Sequence, residues 1–146
     1  MPDTEFKFTL NGKEVAARKG ESVLGAALRE GLHIPHFCYH KNLSVVGQCR
    51  ACLVEVVDAG NGKPIPKLQP SCAMPAAEGM VVETANARVK EAQESVFEFL
   101  LKNHPLDCPV CDQGGECPLQ DQTLGYAKAV SRTHELRRIY PKNEIS

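Results

Sequence analysis

Seven cysteines, divided into a group of four and a group of three, constrain this chain more than any other feature of its sequence. An odd number of thiols cannot be closed completely by internal disulfides, so metal binding or redox chemistry is the leading interpretation. A fold that serves such chemistry must bring the members of each group together. The first group is Cys38, Cys49, Cys52 and Cys72, and the second is Cys108, Cys111 and Cys117.

The N-terminus and the charge balance argue against several classes of protein. Asp3 and Glu5 stand where a signal peptide has basic residues, and no apolar stretch approaches the length of a membrane span. The 146 residues carry a formal net charge of -1 and 5% aromatic residues. This composition gives no electrostatic case for a nucleic-acid partner. The sequence therefore predicts a soluble, intracellular chain of one or two small domains.

The first part of the chain has the pattern of a β-grasp fold. The stretch "EFKFTL" alternates apolar and polar residues and is followed by an Asn-Gly pair, a strong hairpin signal. A helix is predicted next, with Ser22 as its N-cap and Gly31 as its C-terminal stop. "ACLVEVV" is typical of a buried strand, while "KLQPSCAM" and "GMVVETA" predict an edge strand and a closing strand. We therefore predict an α+β fold with a β-grasp domain over residues 1–85.

A second unit, residues 86–146, is predicted to begin with the clearest helix of the sequence. From Asn86 onwards apolar residues recur at helical spacing, and Glu98 and Lys102 are predicted to pair at i,i+4 on the polar side. The residues predicted to form the apolar stripe are Val89, Ala92, Val96, Phe99 and Leu100. Beyond this helix the sequence predicts a short helix over 122–130 and an extended piece around "ELRRIYP".

The group of four has the spacing C-x10-C-x2-C-x19-C. Its close pair, "CRAC", can reach one metal centre from a single turn, and the fold must bring in the outer two cysteines. Plant-type 2Fe-2S ferredoxins use a related plan, with a long cysteine-rich loop and a distant last cysteine. Gly47 allows the backbone to approach a cluster whose negative charge amide hydrogens stabilise. The alternatives are a four-cysteine zinc site, although zinc motifs more often contain two close pairs, and buried structural cysteines.

His104 and the group of three have the spacing H-x3-C-x2-C-x5-C, which suits zinc or an iron-sulfur cluster. Pro105 ends the preceding helix, because proline disfavours helical geometry in the residue before it, so His104 lies beside the cysteine loop. A histidine there also has a structural explanation, since a cation is favourable near the negative end of the helix dipole. Three cysteines without a fourth favour His104 as a ligand. The carboxylates nearby are poorer matches for soft iron, and they are Asp107, Asp112 and Glu116.

Four motifs, in their order along the chain, carry a resemblance to a known family: "IPHFCYH", "VGQCRACLVEV", "SCAMPA" and "NHPLDCPVCDQGGECPLQD". Over nearly the whole chain they resemble the N-terminal part of the large iron-sulfur subunit of bacterial respiratory complex I, the proton-pumping NADH-quinone oxidoreductase. The resemblance implies a β-grasp 2Fe-2S domain followed by a 4Fe-4S domain. The implied ligands of the 2Fe-2S cluster are Cys38, Cys49, Cys52 and Cys72, and those of the 4Fe-4S cluster are His104, Cys108, Cys111 and Cys117.

The resemblance also implies electron transfer, with no substrate site in this chain. No G-x-G-x-x-G or P-loop motif occurs, so NADH and flavin are expected on a partner. The implied partners are a flavin-bearing, NADH-binding subunit and other iron-sulfur subunits, with single electrons passing through the two clusters towards quinone. The implied location is the cytoplasmic face of the inner membrane, through the complex alone. The family continues into a further cluster site and a molybdopterin-enzyme-like domain, so this sequence is expected to be truncated.

Related modules leave the identity of the complex open. Iron-only hydrogenases, the diaphorase-side small subunit of NAD-reducing hydrogenases and NAD-dependent formate dehydrogenases are similar in the same two regions. A shared fold and a shared ligand set cannot name the complex. The stretches "KNHP" and "QDQTLGYA" favour complex I. Outside the redox class, the alternative is a zinc-stabilised interaction module.

Overall fold

The computed structural model of the protein describes residues 5–128 and 130–138. Within them the chain forms a five-stranded mixed sheet, three α-helices and one 3-10 turn, Cys108–Val110. The strands are β1 (Glu5–Leu10), β2 (Lys13–Arg18), β3 (Leu53–Ala59), β4 (Gln69–Pro70) and β5 (Met80–Glu83). The helices are α1 (Val23–Arg29), α2 (Ala87–Leu101) and α3 (Pro118–Tyr126). No helix within the described ranges is long and apolar enough to cross a membrane.

The β1–β2 hairpin turns at Asn11 and Gly12, which confirms the prediction from the Asn-Gly pair. Both residues have positive φ angles, 50° and 76°, as the favoured two-residue hairpin turn requires. The Asn11 side chain also binds Thr84, which follows β5. Its Nδ2 donates to Thr84 Oγ1 at 2.7 Å, and its Oδ1 accepts from the Thr84 amide at 2.8 Å. The turn is therefore fixed to the strand that pairs with β1.

Strand β5 lies in the centre of the sheet, whose order is β2-β1-β5-β3-β4. It runs parallel to β1 and antiparallel to β3. β4 is the predicted edge strand, and its Pro70 has no N–H to offer to a further neighbour. β3 starts at Leu53, two residues later than the motif "ACLVEVV" predicts, because Ala51 and Cys52 form a turn.

Helix α1 packs against the sheet and closes the core. Ser22 caps it as predicted, with its Oγ accepting from the Gly25 amide at 3.1 Å. Burying one aliphatic side chain of this helix stabilises the fold by roughly 1.5–3 kcal/mol. The core residues of α1 are Val23, Leu24, Ala26 and Ala27, and those facing them from the sheet include Phe8, Leu10, Val54, Val56 and Val82.

Helix α2 begins where the sequence predicts but buries a different face. The buried residues are Val89, Gln93 and Phe97, four apart, whereas Phe99 is 79% exposed and Leu100 39% exposed. The prediction of the second half of the stripe is therefore wrong. The reason is Gln93, which occupies the centre of the buried face because it has a hydrogen-bond partner on β3.

Residues 135–138, the described part of the predicted extended piece, form no strand, and residues 139–141 lie outside the described residues. The predicted Glu98–Lys102 pair is wrong. Arg132 Nε donates to Glu98 Oε1 at 2.8 Å, and Lys102 Nζ lies 3.3 Å from Glu135 Oε2. Glu98 and Lys102 therefore bind opposite charges in the segment 130–138 rather than each other.

Helix α3 starts at Pro118, four residues before the predicted start, and ends at Tyr126. Cys117 is the N-cap residue. Pro118 is well placed in the first turn, where its missing N–H would have no helical partner. Tyr126 stacks on Phe97 of α2 with 6.4 Å between ring centroids. The third cysteine of the second group therefore lies directly at the start of a packed helix.

Candidate functional site

Pairing of β3 with β4 brings together two cysteines that are far apart in the sequence. Leu53 pairs with Pro70, so Cys52 and Cys72 lie at the same end of these two strands. The amide and the Oγ of Ser71 both donate to the Cys52 carbonyl, at 3.0 Å and 2.8 Å. Cys52 and Cys72 are buried. The sheet itself thus fixes half of the first group.

Cys38 and Cys49 approach each other through the loops that precede β3. The Cys49 amide donates to Cys38 Sγ at 3.4 Å. Gly47 and Arg50 have positive φ angles, 65° and 61°, so the loop turns on both sides of Cys49. Glycine adopts this conformation freely, whereas it costs a residue such as Arg50 about 1–2 kcal/mol. The left-handed conformation of Gly47 is therefore accompanied by a second one at Arg50, which no sequence signal indicates.

The surroundings of two thiols of the first group, Cys38 and Cys72, shift their pKa values. Burial raises the pKa of Cys72 to about 12, and the charges of Cys52, Cys38 and Cys49 act in the same direction. Burial also acts to raise the pKa of Cys38, but hydrogen bonds from the amides of Cys49 and Gln48 outweigh it and hold this pKa below its usual value. Four thiolates in this space repel one another, and a bound metal cation removes that repulsion. The donors of the first group therefore fit a thiolate-bound metal centre.

The four residues of the predicted second site, His104, Cys108, Cys111 and Cys117, line one cavity of about 550 Å³. His104 follows the end of α2, Cys108 opens the 3-10 turn and Cys117 caps α3. Cys108 and Cys111 are exposed, and Cys117 is half-buried. Of the three carboxylates near these donors in the sequence, Asp107 also lines the cavity. The structure thus brings all four predicted donors to the same space.

A glycine allows the cysteine loop of the second site to fold back on itself. A Cβ atom on Gly114 would lie 2.8 Å from the Cys108 carbonyl oxygen and 3.1 Å from that of Cys111. The Gly114 amide donates to the Cys111 carbonyl at 3.0 Å. Backbone atoms therefore occupy the position that a larger residue would need.

Arg137 holds the end of α2 beside His104. Its Nη1 donates to the Leu101 carbonyl at 2.6 Å and also to the His104 carbonyl. Such carbonyls at a helix end have no partner within the helix. The helix ends at Leu101, three residues before the predicted end at His104, and His104 lies in the loop that follows. No pattern in the sequence indicates Arg137, because the contact joins residues 36 positions apart.

The donor chemistry of both groups fits soft metals. Thiol and imidazole ligands suit iron-sulfur clusters or zinc, whereas calcium and magnesium require oxygen donors. Across residues 5–128 and 130–138, no three His, Cys, Asp or Glu side chains surround one point closely enough to hold a single ion. The thiolates of an iron-sulfur cluster bind different iron atoms and need not surround one point.

Family models match both parts of the chain. Residues 3–87 match the 2Fe-2S iron-sulfur cluster binding domain, and residues 93–131 match the NADH-ubiquinone oxidoreductase-G iron-sulfur binding region. These domains bind a 2Fe-2S and a 4Fe-4S cluster. The mixed five-stranded sheet with its cysteine-bearing loops and these matches define an iron-sulfur protein with a ferredoxin-like domain. The chain belongs to the family of 2Fe-2S iron-sulfur cluster binding domains.

The chain is similar to curated proteins of bacteria and eukaryotes. It is 51% identical over 133 residues to the G subunit of NADH-quinone oxidoreductase from Rickettsia bellii (strain RML369-C). The match covers 91% of this chain and 19% of the relative. It is 49% identical over 132 residues to the mitochondrial NADH-ubiquinone oxidoreductase 78 kDa subunit of Candida albicans (strain SC5314 / ATCC MYA-2876), covering 90% of this chain and 18% of the relative. The resemblance to the large iron-sulfur subunit is thus confirmed, and the chain spans about a fifth of the length of these relatives.

A solved structure has the same fold over most of the chain. The crystal structure of NAD+-reducing NiFe hydrogenase in the H2-reduced state matches with a TM-score of 0.74 and 32% identity. The match covers 91% of this chain and 55% of the hydrogenase chain. This likeness agrees with the similarity to hydrogenase subunits that the motifs indicate.

Proposed function

We propose that residues 1–85 form a β-grasp 2Fe-2S domain and that residues 86–146 form a 4Fe-4S domain led by helix α2. The approach of four thiols at one end of the sheet supports the first assignment, and the shared cavity supports the second. The proposed ligands are Cys38, Cys49, Cys52 and Cys72 for the 2Fe-2S cluster, and His104, Cys108, Cys111 and Cys117 for the 4Fe-4S cluster.

The proposed role is the transfer of single electrons within an NADH-quinone oxidoreductase. When bound, the two clusters take up and release one electron at a time. We expect the electrons to come from a flavin-bearing, NADH-binding partner subunit and to leave through other iron-sulfur subunits towards quinone. Because the relatives are about five times longer, this activity, these partners and a location on the cytoplasmic face of the inner membrane all belong to the proposal.

The residues of the chain set the environment of each site. The Cys49 amide donates to Cys38 Sγ and so stabilises the negative charge of a thiolate there. Cys52 and Cys72 are buried, which keeps water from their side of the first site. A neutral imidazole from His104 in place of a thiolate removes one negative charge from the second site, which favours the reduced state, as in Rieske centres. We therefore expect the two sites to differ in potential.

The observation that carries the proposal is the convergence of the thiols of the first group, which lie up to 34 residues apart in the sequence. The Cys49 amide is within hydrogen-bond distance of Cys38 Sγ, and strand pairing puts Cys52 and Cys72 at the same end of β3 and β4. The charges of the three other thiols also help to raise the pKa of Cys72. Spacing alone does not require this, since Cys38 and Cys72 are isolated in the sequence. The pairing of β3 with β4 puts Cys72 near Cys52, which supports its assignment to the first site.

A second candidate is the equivalent module of an NAD-linked hydrogenase. The likeness to the NAD+-reducing NiFe hydrogenase structure favours it. The coding DNA separates the two candidates. A downstream reading frame with a C-x2-C-x2-C cluster motif, beside genes for membrane subunits of a quinone module, supports the complex I assignment, whereas neighbouring hydrogenase genes contradict it.

The proposal is tested by anaerobic reconstitution of the chain, followed by iron and sulfide analysis. We expect about six irons per chain, from one 2Fe-2S and one 4Fe-4S cluster. Tightly bound zinc without acid-labile sulfide would contradict the proposal and favour a zinc-stabilised interaction module.

Neighbouring substitutions in the first site provide a matched pair. Cys72→Ala is expected to remove the 2Fe-2S EPR signal and about two irons, because one ligand is lost. Ser71→Ala removes only the side-chain hydrogen bond to the Cys52 carbonyl, keeps the bond from the Ser71 amide, and is expected to retain the signal. If both variants keep the signal, Cys72 is not a ligand.

A further inference from the structure

The segment that leads from α1 to Cys38 belongs to no helix or strand. Ile34 and Pro35 within it are buried, and His36 is half-buried. Backbone polar groups in such a segment need partners other than a helix or a sheet ladder. The position of Cys38 therefore depends on what binds this segment, residues 33–38.

Gln122 of α3 supplies partners for both backbone groups of His36. Its Oε1 accepts from the His36 amide at 2.7 Å, and its Nε2 donates to the His36 carbonyl at 2.9 Å. One side-chain amide thus makes the pair of bonds that a neighbouring strand makes in a sheet. Both bonds are part-buried. Gln122 therefore fixes the backbone two residues before Cys38.

Tyr126, one turn further along α3, fixes the start of the same segment. Its hydroxyl donates to the His33 carbonyl at 3.2 Å and lies 2.8 Å from His33 Nδ1. The two rings stack with centroids 5.7 Å apart. Burial raises the pKa of Tyr126, so its hydroxyl keeps the proton that it donates.

The contact extends into the core through Phe97. This fully buried ring lies 5.7 Å from the Phe37 ring and 6.4 Å from the Tyr126 ring, measured between centroids. Phe37 immediately precedes Cys38. Segment 33–38 is thus held by hydrogen bonds from α3 and by an aromatic contact with α2.

We propose that Gln122 and Tyr126 are positioning residues of the 2Fe-2S site. From α3, whose N-cap residue Cys117 belongs to the second site, they hold segment 33–38 and with it Cys38. The inference rests on the proposed function, since that assigns Cys38 and Cys117 to two different clusters. Gln122 lies about 7.5 Å along α3 from Cys117 at a rise of about 1.5 Å per residue. One short helix therefore borders the second site at its start and binds segment 33–38 further along.

The test uses the reconstituted 146-residue chain with Gln122→Met, which keeps the length of the side chain and removes both hydrogen bonds to His36. We expect peptides that cover 33–38 to exchange their amide hydrogens about tenfold faster, as the loss of part-buried hydrogen bonds implies. We also expect shifted g values and a shifted midpoint potential of the 2Fe-2S cluster. Exchange in the β1–β2 hairpin is expected to stay unchanged.

Gln120→Met is the matched control. Gln120 lies on the same helix, but its Oε1 accepts from the Gly115 amide at 3.2 Å, in the loop of the second site. It is expected to leave both the exchange of 33–38 and the 2Fe-2S signal unchanged. Tyr126→Phe keeps the ring stack and removes the hydroxyl, and is expected to speed exchange at the start of the segment. It gives an independent test if Gln122→Met does not fold.

Two outcomes overturn the inference. In the first, Gln122→Met shows the same amide hydrogen exchange in residues 33–38 and the same 2Fe-2S EPR signal as the parent chain. Tyr126→Phe takes its place if Gln122→Met does not fold. The other is an equal effect of Gln120→Met and Gln122→Met. A parent chain that binds no cluster contradicts the proposed function instead, and the exchange comparison then still decides whether α3 holds the segment.

Discussion

Gln93 of α2 donates its Nε2 hydrogen to the main-chain carbonyl of Leu53, the first residue of β3, at 3.1 Å. The Gln93 side chain is 2% exposed, and Leu53 immediately follows Cys52. A buried polar group of this kind contributes most through the cost of leaving its partner without a hydrogen bond. The bond therefore fixes helix α2 to the strand that begins beside a proposed ligand.

Replacing Gln93 with alanine is expected to lower the free energy of unfolding by about 2 kcal/mol, because the Leu53 carbonyl loses its partner and a cavity remains. Denaturant unfolding under anaerobic conditions measures the change. Lys90→Ala, at an exposed position of the same helix, is expected to change it by less than about 0.5 kcal/mol. Equal losses of unfolding free energy in the two variants would show that the hydrogen bond from Gln93 to Leu53 does not contribute to stability.

Gly114→Ala is expected to disrupt the second cluster, because the new Cβ would meet the Cys108 carbonyl oxygen at 2.8 Å and the backbone would have to move. The iron content is expected to fall from about six to about two per chain. Gly125→Ala on α3 meets no atom within 4 Å and is expected to keep all iron and to stabilise the helix by roughly 0.5–1 kcal/mol. Full iron retention by Gly114→Ala would contradict this account of the loop.

His104→Cys is expected to keep a 4Fe-4S cluster at a lowered potential, because a thiolate adds one negative charge to the site. His104→Ala is expected to leave the cluster labile or exchangeable at one iron. Iron content and the EPR spectrum measure both effects. If the alanine variant matches the parent in both measurements, His104 is not a ligand.

Low pH is expected to weaken the contact between β3 and α2, because it protonates the Glu55 carboxylate. Hydrogen bonds from Arg88 and Asn86, both 2.6 Å long, hold the pKa of Glu55 below its usual value. A carboxylate of this kind stabilises the fold above its unfolded pKa of about 4.3 and loses that contribution as the pH falls through its lower folded pKa. Glu55→Gln is therefore expected to be less stable at pH 7 and to lose less stability on acidification.

The control for this pH dependence is Glu91→Gln, at an exposed position on α2. Its stability is expected to follow the pH dependence of the parent chain. If the curves for Glu55→Gln and the parent are parallel from pH 7 to acid, Glu55 does not contribute to acid sensitivity.

Local signals in the sequence predict most of the fold that surrounds the first site. The Asn-Gly turn and the Ser22 cap are short-range features, and both occur where the sequence places them. Pro70 likewise restricts its strand to the edge of the sheet. Such features depend on a few neighbouring residues, so spacing and side-chain chemistry are sufficient to find them.

Contacts between distant parts of the chain are not predictable in this way. Phe99 belongs to an apolar pattern, but the buried face of α2 is chosen by Gln93 and its partner 40 residues away. Gln122 binds His36 across 86 positions. The candidate donors could be predicted from the spacing of soft ligands, whereas the side chains that hold those donors in place required the structure.

The parallel pairing of β1 with β5 joins Thr9 to Val81 and has a consequence for biosynthesis. Such a distant pairing must overcome the entropy of closing a long loop before it gains stability, so it forms late. All four cysteines of the first group are translated before β5, the central strand that connects β1 to β3. A nascent chain that ends before Met80 carries every thiol of that group but lacks the centre of its sheet. Insertion of a cluster at the proposed first site is therefore expected to follow the synthesis of β5 rather than accompany the emergence of its ligands from the ribosome.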